Sequence, residues 1–308
     1  MLRCLLLLAA MTMAGPSSAA GRSVDAGGFP ATLEDPSGAG PLVVMVAGSG
    51  PTDRDGNSVL GVRAGYLRKL ADALAERGIA SLRYDKRGLQ GSAPVGNEAD
   101  VTFATYVEDL RTVIGWAAAG YSGRPLVLLG HSEGGLVAIE AAKAAPGGIS
   151  GLVLLATPGR PPGETLRDQL ASLPQPERAE ALAILTGLEA GRHVATVPPA
   201  LAGLFRPSVQ PFVISLLALR PAATLAALEI PALVIGGGTD IQVGRSDFEA
   251  LAQARPDVES RWFEGMNHVL TDAPSDHAGQ LATYADPDAA LTAGLADAIA
   301  GNVRAVAE

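Results

Sequence analysis

The sequence predicts an α/β fold, with a mostly parallel, doubly wound sheet covered by helices on both faces and a helical insertion late in the chain. Three observations carry this expectation. Short apolar runs recur and end in turn residues. Amphipathic helical patterns stand between them. From about Arg160 to Leu228 the alternation gives way to helical patterning alone.

The strand expectations come first. LVVMVA (42–47), IASLRY (79–84), LVLL (126–129), LVLLA (152–156) and ALVIG (232–236) are continuous rather than alternating apolar runs. Such runs suit parallel strands buried on both faces. Between them, YLRKLADALAER puts Leu67, Leu70, Ala71 and Leu74 on one helical face and stops at Gly78. TYVEDLRTVIGWAAA does the same with Val107, Leu110, Val113 and Ile114. Alternating strands and helices imply a parallel sheet. The stretch from Gly21 to Pro41 reads as a partly ordered arm or edge hairpin, and ALTAGLADAIAGNVRAV as a closing helix. The insertion is punctuated by Pro161-Pro162, Pro174, Pro198-Pro199 and Pro207, and it is too long for a plain loop. The expected organisation is a signal peptide over 1–20, a first core part over 21–159, a helical cap over 160–228 and a second core part over 229–308.

The N-terminus departs from this pattern. Arg3 precedes an apolar run from Cys4 to Ala14, and small residues follow, with Ser18-Ala19-Ala20 fitting a cleavage site after Ala20. That layout predicts export, to the periplasm or beyond. The run is too short to span a bilayer. Cys4 is the single cysteine and precedes most of the run, which argues against a lipid-anchored cysteine. The processed chain would hold no cysteine, and so no disulfide, thiol nucleophile or thiolate metal site. The formal charge of −9 is spread without a basic block, which argues against nucleic acid and anionic membrane as partners.

The chemistry centres on LVLLGHSEGGLVAIEAA, where Gly130-His131-Ser132-Glu133-Gly134 follows an expected strand and opens an expected helix. A G-x-S-x-G pentapeptide in that context holds a serine at a strained turn with its hydroxyl exposed. The Glu133 N–H then faces a developing oxyanion at the helix N-terminus. A serine hydroxyl needs a base to become a nucleophile. Asp240, after ALVIGGGT, and His268, after RWFEGMN, both lie where strands should end, the edge at which a doubly wound sheet places its site. His268 would take the Ser132 proton and Asp240 would orient His268. His277 is the rival base and Asp247 the weaker rival acid, while His131 and His193 read as structural. The second oxyanion donor should come from the loop after LVVMVA, with the Ser49 N–H favoured over that of Gly50. Asp53, Arg54 and Asp55 could pair with one another and brace that loop. Four histidines without paired spacing argue against a metal site, and no cofactor is implied.

Together, Gly130 to Gly134, GTDIQV, GMNHVL, AGSGPTDRDGN and RYDKRG resemble bacterial secreted α/β-hydrolases of the serine-esterase type. The resemblance runs from about Val43 to Leu270. It implies the α/β-hydrolase fold with the insertion as the family's helical cap, and a carboxylesterase acting on small esters, with short acyl chains expected. Two departures stand out: LQGS after RYDKRG, where a second glycine is expected near Gln90, and an N-terminal hairpin region that looks abbreviated. The same fold also hosts peptidases and thioesterases. A peptidase would need an acidic cluster to hold a peptide N-terminus, for which Glu164, Glu177, Glu180 and Glu189 are available. A binding protein that merely retains the fold is the third alternative. Leu166, Leu170, Leu204, Phe205, Phe212 and Leu216 are the expected apolar lining from the cap.

Overall fold

The computed structural model of the protein describes residues 21–89, 91–144 and 148–307, so the expected signal peptide and Gln90 lie outside the described residues. The chain opens with β1 (Arg22–Asp25), β2 (Pro30–Glu34) and β3 (Leu42–Val46), followed by α1 (Tyr66–Glu76), β4 (Ala80–Tyr84) and α2 (Phe103–Gly120). Then come β5 (Leu126–His131), α3 (Glu133–Ala144) and β6 (Gly151–Leu155). Five helices follow: α4 (Pro162–Leu170), α5 (Glu177–Glu189), α6 (Ala202–Phe205), α7 (Gln210–Leu217) and α8 (Pro221–Ala226). The sheet resumes with β7 (Ala232–Gly237), α9 (Arg245–Ala252) and β8 (Glu259–Phe263), and the chain closes with α10 (His277–Ala285) and α11 (Leu295–Ala305).

The strands form one sheet in the order β1-β2-β4-β3-β5-β6-β7-β8. β1 and β2 pair antiparallel, as do β2 and β4; every other pair is parallel. The arm expected before Pro41 is thus an ordered edge hairpin. Although its strands are short, it is a full part of the sheet.

The continuous apolar runs have a direct cause. Leu42, Val44 and Val46 point to one face, with Leu128, Leu154 and Val234, and pack on α2 and α3. Val43 and Met45 point to the other, with Leu129, Leu155 and Ile235, and pack on α1 and α11. Each strand therefore needs apolar residues at both parities. On α1 the buried residues are Tyr66, Leu67, Leu70, Ala71 and Leu74, one stripe facing the sheet. Truncating Leu70 or Leu74 to alanine there would cost about 2–5 kcal/mol. At the start of α2, Thr102 and Thr105 form a reciprocal capping box.

The helices between β6 and β7 have a separate core, made of Leu170, Ala181, Ile184, Leu185, Leu188, Leu201, Phe205, Val213 and Leu217. Gln210 is buried within it and satisfied, bonding both backbone groups of Val194 and the Phe205 carbonyl. Asp247 ties the first helix of this layer to the sheet. Fully buried, it accepts from the Gly159 N–H at 3.1 Å, from Thr165 Oγ1 at 2.8 Å and from Arg160 at 2.7 Å. The rival acid is therefore an anchor, and its side chain is spent on these bonds.

Candidate active site

Ser132 sits between the last residue of β5 and the first of α3, with φ 54°. A non-glycine residue in that region carries strain, which persists only where the surroundings impose it. Three glycines show how they do. A Cβ on Gly130 would lie 2.4 Å from the Gly134 carbonyl oxygen and from Gly135 Cα. One on Gly134 would lie 2.3 Å from the Val46 carbonyl oxygen, and one on Gly135 2.0 Å from Thr157 Oγ1. The helix is pressed onto the sheet so closely that no side chain fits between them. The Ser132 N–H donates to the Leu155 carbonyl at 2.8 Å and fixes the turn from the next strand.

Asp240 lies in the turn after β7, and His268 in the loop after β8. Asp240 Oδ2 accepts from His268 Nδ1 at 2.8 Å, while Oδ1 accepts from the N–H groups of Gln242 (2.7 Å) and Val243 (3.0 Å). Both its oxygens are thus engaged, and the carboxylate fixes the orientation of the imidazole through Nδ1. Asn267 braces the histidine loop: its Oδ1 accepts from the Val269 and Thr271 N–H groups, and its Nδ2 donates to Thr283. The two loops are also joined directly, by the Thr239 N–H to the Met266 carbonyl at 3.1 Å. No hydrogen bond joins Ser132 Oγ to His268 among the described residues. In free enzymes such a bond is often long and tightens only with substrate.

The rivals fall elsewhere. His277 is exposed at the start of α10, and His193 is exposed in the loop after α5, so the structural role expected for His193 has no packing behind it. His131 is structural in full. It is buried, its Nε2–H donates to the His268 backbone carbonyl at 2.7 Å, and its Nδ1 accepts from Tyr66 OH at 3.1 Å. Burial holds its pKa well below the ordinary imidazole value, helped by the neighbouring His268. It stays neutral and acts as a strut between the serine turn and the histidine loop, its ring centroid 4.7 Å from that of His268. The structural role was expected, but not its partner, because adjacency to the serine says nothing of the 137-residue contact.

The loop after β3 is braced, but not by pairing among Asp53, Arg54 and Asp55 as expected. Asp53 accepts from the Asp55 and Asn57 N–H groups. Arg54 pairs with Asp85 at 2.9 Å, and Asp55 with Arg83, which also meets Glu34 at 2.5 Å. Opposite charges flank Arg54 in sequence, but the loop is shaped by the strand beside it, and the partners come from RYDKRG. Ser49 and Glu133, the two expected oxyanion donors, both line the cleft that Ser132 faces. Their N–H groups, and that of Gly50, meet no acceptor among the described residues.

That cleft has a volume of about 640 Å³. The insertion contributes Leu166, Leu204, Phe212 and Leu216 as expected. Leu170 and Phe205 do not line it; both are buried in the insertion's own core. All six are apolar residues of the insertion, and only the packing of its helices separated lining from core. Among the described residues, no three His, Cys, Asp or Glu side chains gather as a metal site.

Comparison with known proteins bears on this geometry. Residues 60–183 match a family model described as serine aminopeptidase, S33. The chain is 30% identical over 268 residues to esterase EstD of Thermotoga maritima, covering 83% of this chain and 61% of that protein. It therefore spans less than two thirds of that relative's length. Among solved structures, Est1E of Butyrivibrio proteoclasticus with ferulic acid bound superposes with a TM-score of 0.58 at 19% identity, covering 87% of this chain and 96% of that one. A proline iminopeptidase of Mycobacterium smegmatis gives 0.55 at 18%, covering 93% and 98%. The fold is that of the α/β-hydrolases. In this fold the serine turn, the Asp240 turn and the His268 loop all stand at the C-terminal edge of the parallel strands, where such sheets bind ligands.

Proposed function

We propose that the protein is an exported serine carboxylesterase that hydrolyses esters of short acyl chains through an acyl-enzyme. The observation that carries the reading is Ser132, held at φ 54° facing an apolar cleft, on the same sheet edge as an imidazole bound to a carboxylate. Ser132 Oγ attacks the ester carbonyl while His268 Nε2 takes its proton. Asp240 keeps Nδ1 protonated and stabilises the imidazolium. The Ser49 and Glu133 N–H groups receive the oxyanion. His268 returns the proton to the departing alcohol. Water, deprotonated by His268, then attacks the acyl-enzyme and releases the acid and Ser132.

The insertion acts as a lid over the acyl group, which lies among Leu166, Leu204, Phe212 and Leu216. The cleft is larger than a short acyl chain needs, and its mouth carries the exposed Leu60 and Val95, which suit an apolar alcohol portion. The names of EstD and Est1E favour ester chemistry. The family description and the iminopeptidase neighbour keep peptide substrates in view. A free ammonium would need an unpaired carboxylate. Glu164, Glu177, Glu180 and Glu189 do not line the cleft. Of the acidic residues that do, Glu98 already holds Arg206 and Ser208, and Glu133, half-buried, has its pKa pushed up by desolvation against the opposing charge of Lys86. Export is supported by the Arg3 start, the apolar run and the small-residue site before Gly21.

The test is a panel of 4-nitrophenyl esters of increasing acyl length run beside aminoacyl anilides, on wild type and Ser132→Ala. Ester hydrolysis should dominate, with the short chains best, and should fall by about 10³-fold or more in the variant. A fluorophosphonate probe should label Ser132 alone. Preference for anilides moves the reading to a peptidase, and wild-type turnover in Ser132→Ala, or no labelling, removes it. Mass spectrometry of exported protein should find an N-terminus near Gly21; Met1 on that protein refutes export by cleavage.

A further inference from the structure

RYDKRG is the one motif that the proposed chemistry leaves unused, and its lysine occupies an unusual place. Lys86 is buried just beyond β4. Its ammonium donates to the carbonyls of Gly48 and, at 2.6 Å, of Gly50. These are the carbonyls on either side of Ser49. Burying an ammonium is costly, so bonds to two neutral carbonyls are a weak reason to keep it there for stability alone. Burial pushes its pKa down, and the nearby Glu133 carboxyl opposes that shift.

The peptide between Gly48 and Ser49 is trans, so its C=O and N–H point in opposite directions. A cation that holds the Gly48 carbonyl on one side therefore aims the Ser49 N–H at the other. The remaining freedom of the loop is also removed. Thr52 Oγ1 donates to the Ser49 carbonyl at 2.8 Å, and the Thr52 N–H to the Gly50 carbonyl at 2.9 Å. All three carbonyls from Gly48 to Gly50 are thus held, while the Ser49 N–H meets no acceptor among the described residues. A positive charge on the carbonyl end also polarises the peptide and strengthens its N–H as a donor. Lys86 lines the cleft together with Ser49, Ser132 and Glu133.

We propose that Lys86 is a positioning residue of the oxyanion hole: by gripping the Gly48 and Gly50 carbonyls it directs and polarises the Ser49 N–H. The inference rests on the esterase reading and assigns the motif its part in it. The other charged residues of RYDKRG serve the same neighbourhood, Arg83 through Asp55, Asp85 through Arg54, and Arg87 through Asp109 on α2. Only Lys86 reaches the peptide that would meet the substrate.

The experiment compares wild type, Lys86→Met and Lys86→Gln, with rates expressed per active site titrated by fluorophosphonate, so that misfolded protein does not count. Outright loss of an oxyanion donor costs about 10²- to 10³-fold in kcat. Loosening one should cost roughly 10- to 100-fold in Lys86→Met, with KM changed by less than about threefold, because the hole acts on the transition state. Lys86→Gln keeps a donor without the charge and should lose less. The affinity of a trifluoromethyl ketone, which forms a tetrahedral adduct with serine, should fall in step with kcat/KM. A purely structural lysine would lower the fraction of titratable sites and leave both readouts unchanged per site. The proposal is overturned by wild-type kcat per site in Lys86→Met, by a loss confined to KM, or by unchanged ketone affinity. If Lys86→Met does not fold, the same three readouts on Lys86→Gln decide. If wild type itself hydrolyses no ester, or Ser132→Ala keeps activity, it is the esterase reading that has failed.

Discussion

The cleft has two walls built on different principles. On the sheet side, the turn that carries Ser132 is over-determined: three glycines have no room for a Cβ, His131 bonds to Tyr66 and the His268 carbonyl, and Lys86 and Asp85 clamp the facing loop. On the insertion side, a private apolar core supports apolar side chains that face the cleft, Leu166, Leu204, Phe212 and Leu216 among them, and Gly203 there has open space around it. The first wall tolerates almost no change because close-packed backbone transmits every displacement. The second can exchange apolar residues at modest cost. On the esterase reading proposed above, the difference assigns rate to one wall and selectivity to the other.

That division can be broken most sharply at the histidine. His268→Ala should lower kcat by about 10³-fold or more, while His277→Ala on exposed α10 should stay within about twofold of wild type. Asp240→Asn should fold normally and still lose on the order of 10³- to 10⁴-fold, because the amide favours the wrong tautomer. Steady-state kinetics on the three variants decide, and a dead His277→Ala would transfer the base to α10.

A stability comparison comes next. Gly134→Val forces a side chain against the Val46 carbonyl and should destabilise by about 3 kcal/mol or more. Gly203→Ala, which meets nothing within 4 Å, should stay within about 0.5 kcal/mol. Urea unfolding measures both, and equal losses would dissolve the contrast between the walls.

On the selectivity side, Phe212→Ala should raise the ratio of kcat/KM for long over short acyl esters by roughly tenfold. Phe212 lines the cleft and stacks edge-on against Tyr106 at 5.4 Å. If the variant loses stability while its acyl profile stays fixed, the insertion is packing and nothing more.

The smallest effect belongs to His131. Its folded pKa lies below its unfolded value, so below about pH 6.5 the unfolded chain takes a proton that the folded chain refuses. Stability should therefore fall as pH drops from there, by up to about 1.4 kcal/mol per pH unit from this one group. His131→Asn, though less stable overall, should lack that part of the slope between pH 6.5 and 5. Parallel slopes for the two proteins would mean that His131 is protonated in the fold.

Much of this molecule was legible in its sequence for identifiable reasons. A parallel strand buried on both faces has to be apolar at every position, so LVVMV and LVLLGH announce themselves. A serine turn squeezed between strand and helix needs glycines on both sides, so G-x-S-x-G carries its own geometry. Asp240 and His268 could be placed beside Ser132 because the ends of parallel strands converge on one edge. What the tertiary structure alone decided are the contacts between side chains far apart in the chain. Apolar character grouped Leu170 and Phe205 with Leu166 and Phe212 as lining of the cap, yet the first two fill the insertion's core and the others face the cleft. Arg54 was expected to pair within its own loop and reaches Asp85 instead. Lys86 reaches the Gly48 and Gly50 carbonyls only because β4 lies beside β3 and the loop that follows it. Local pattern sets which face a residue occupies, because it follows from the backbone repeat; which partner that face meets depends on how the layers dock, and no local repeat encodes that.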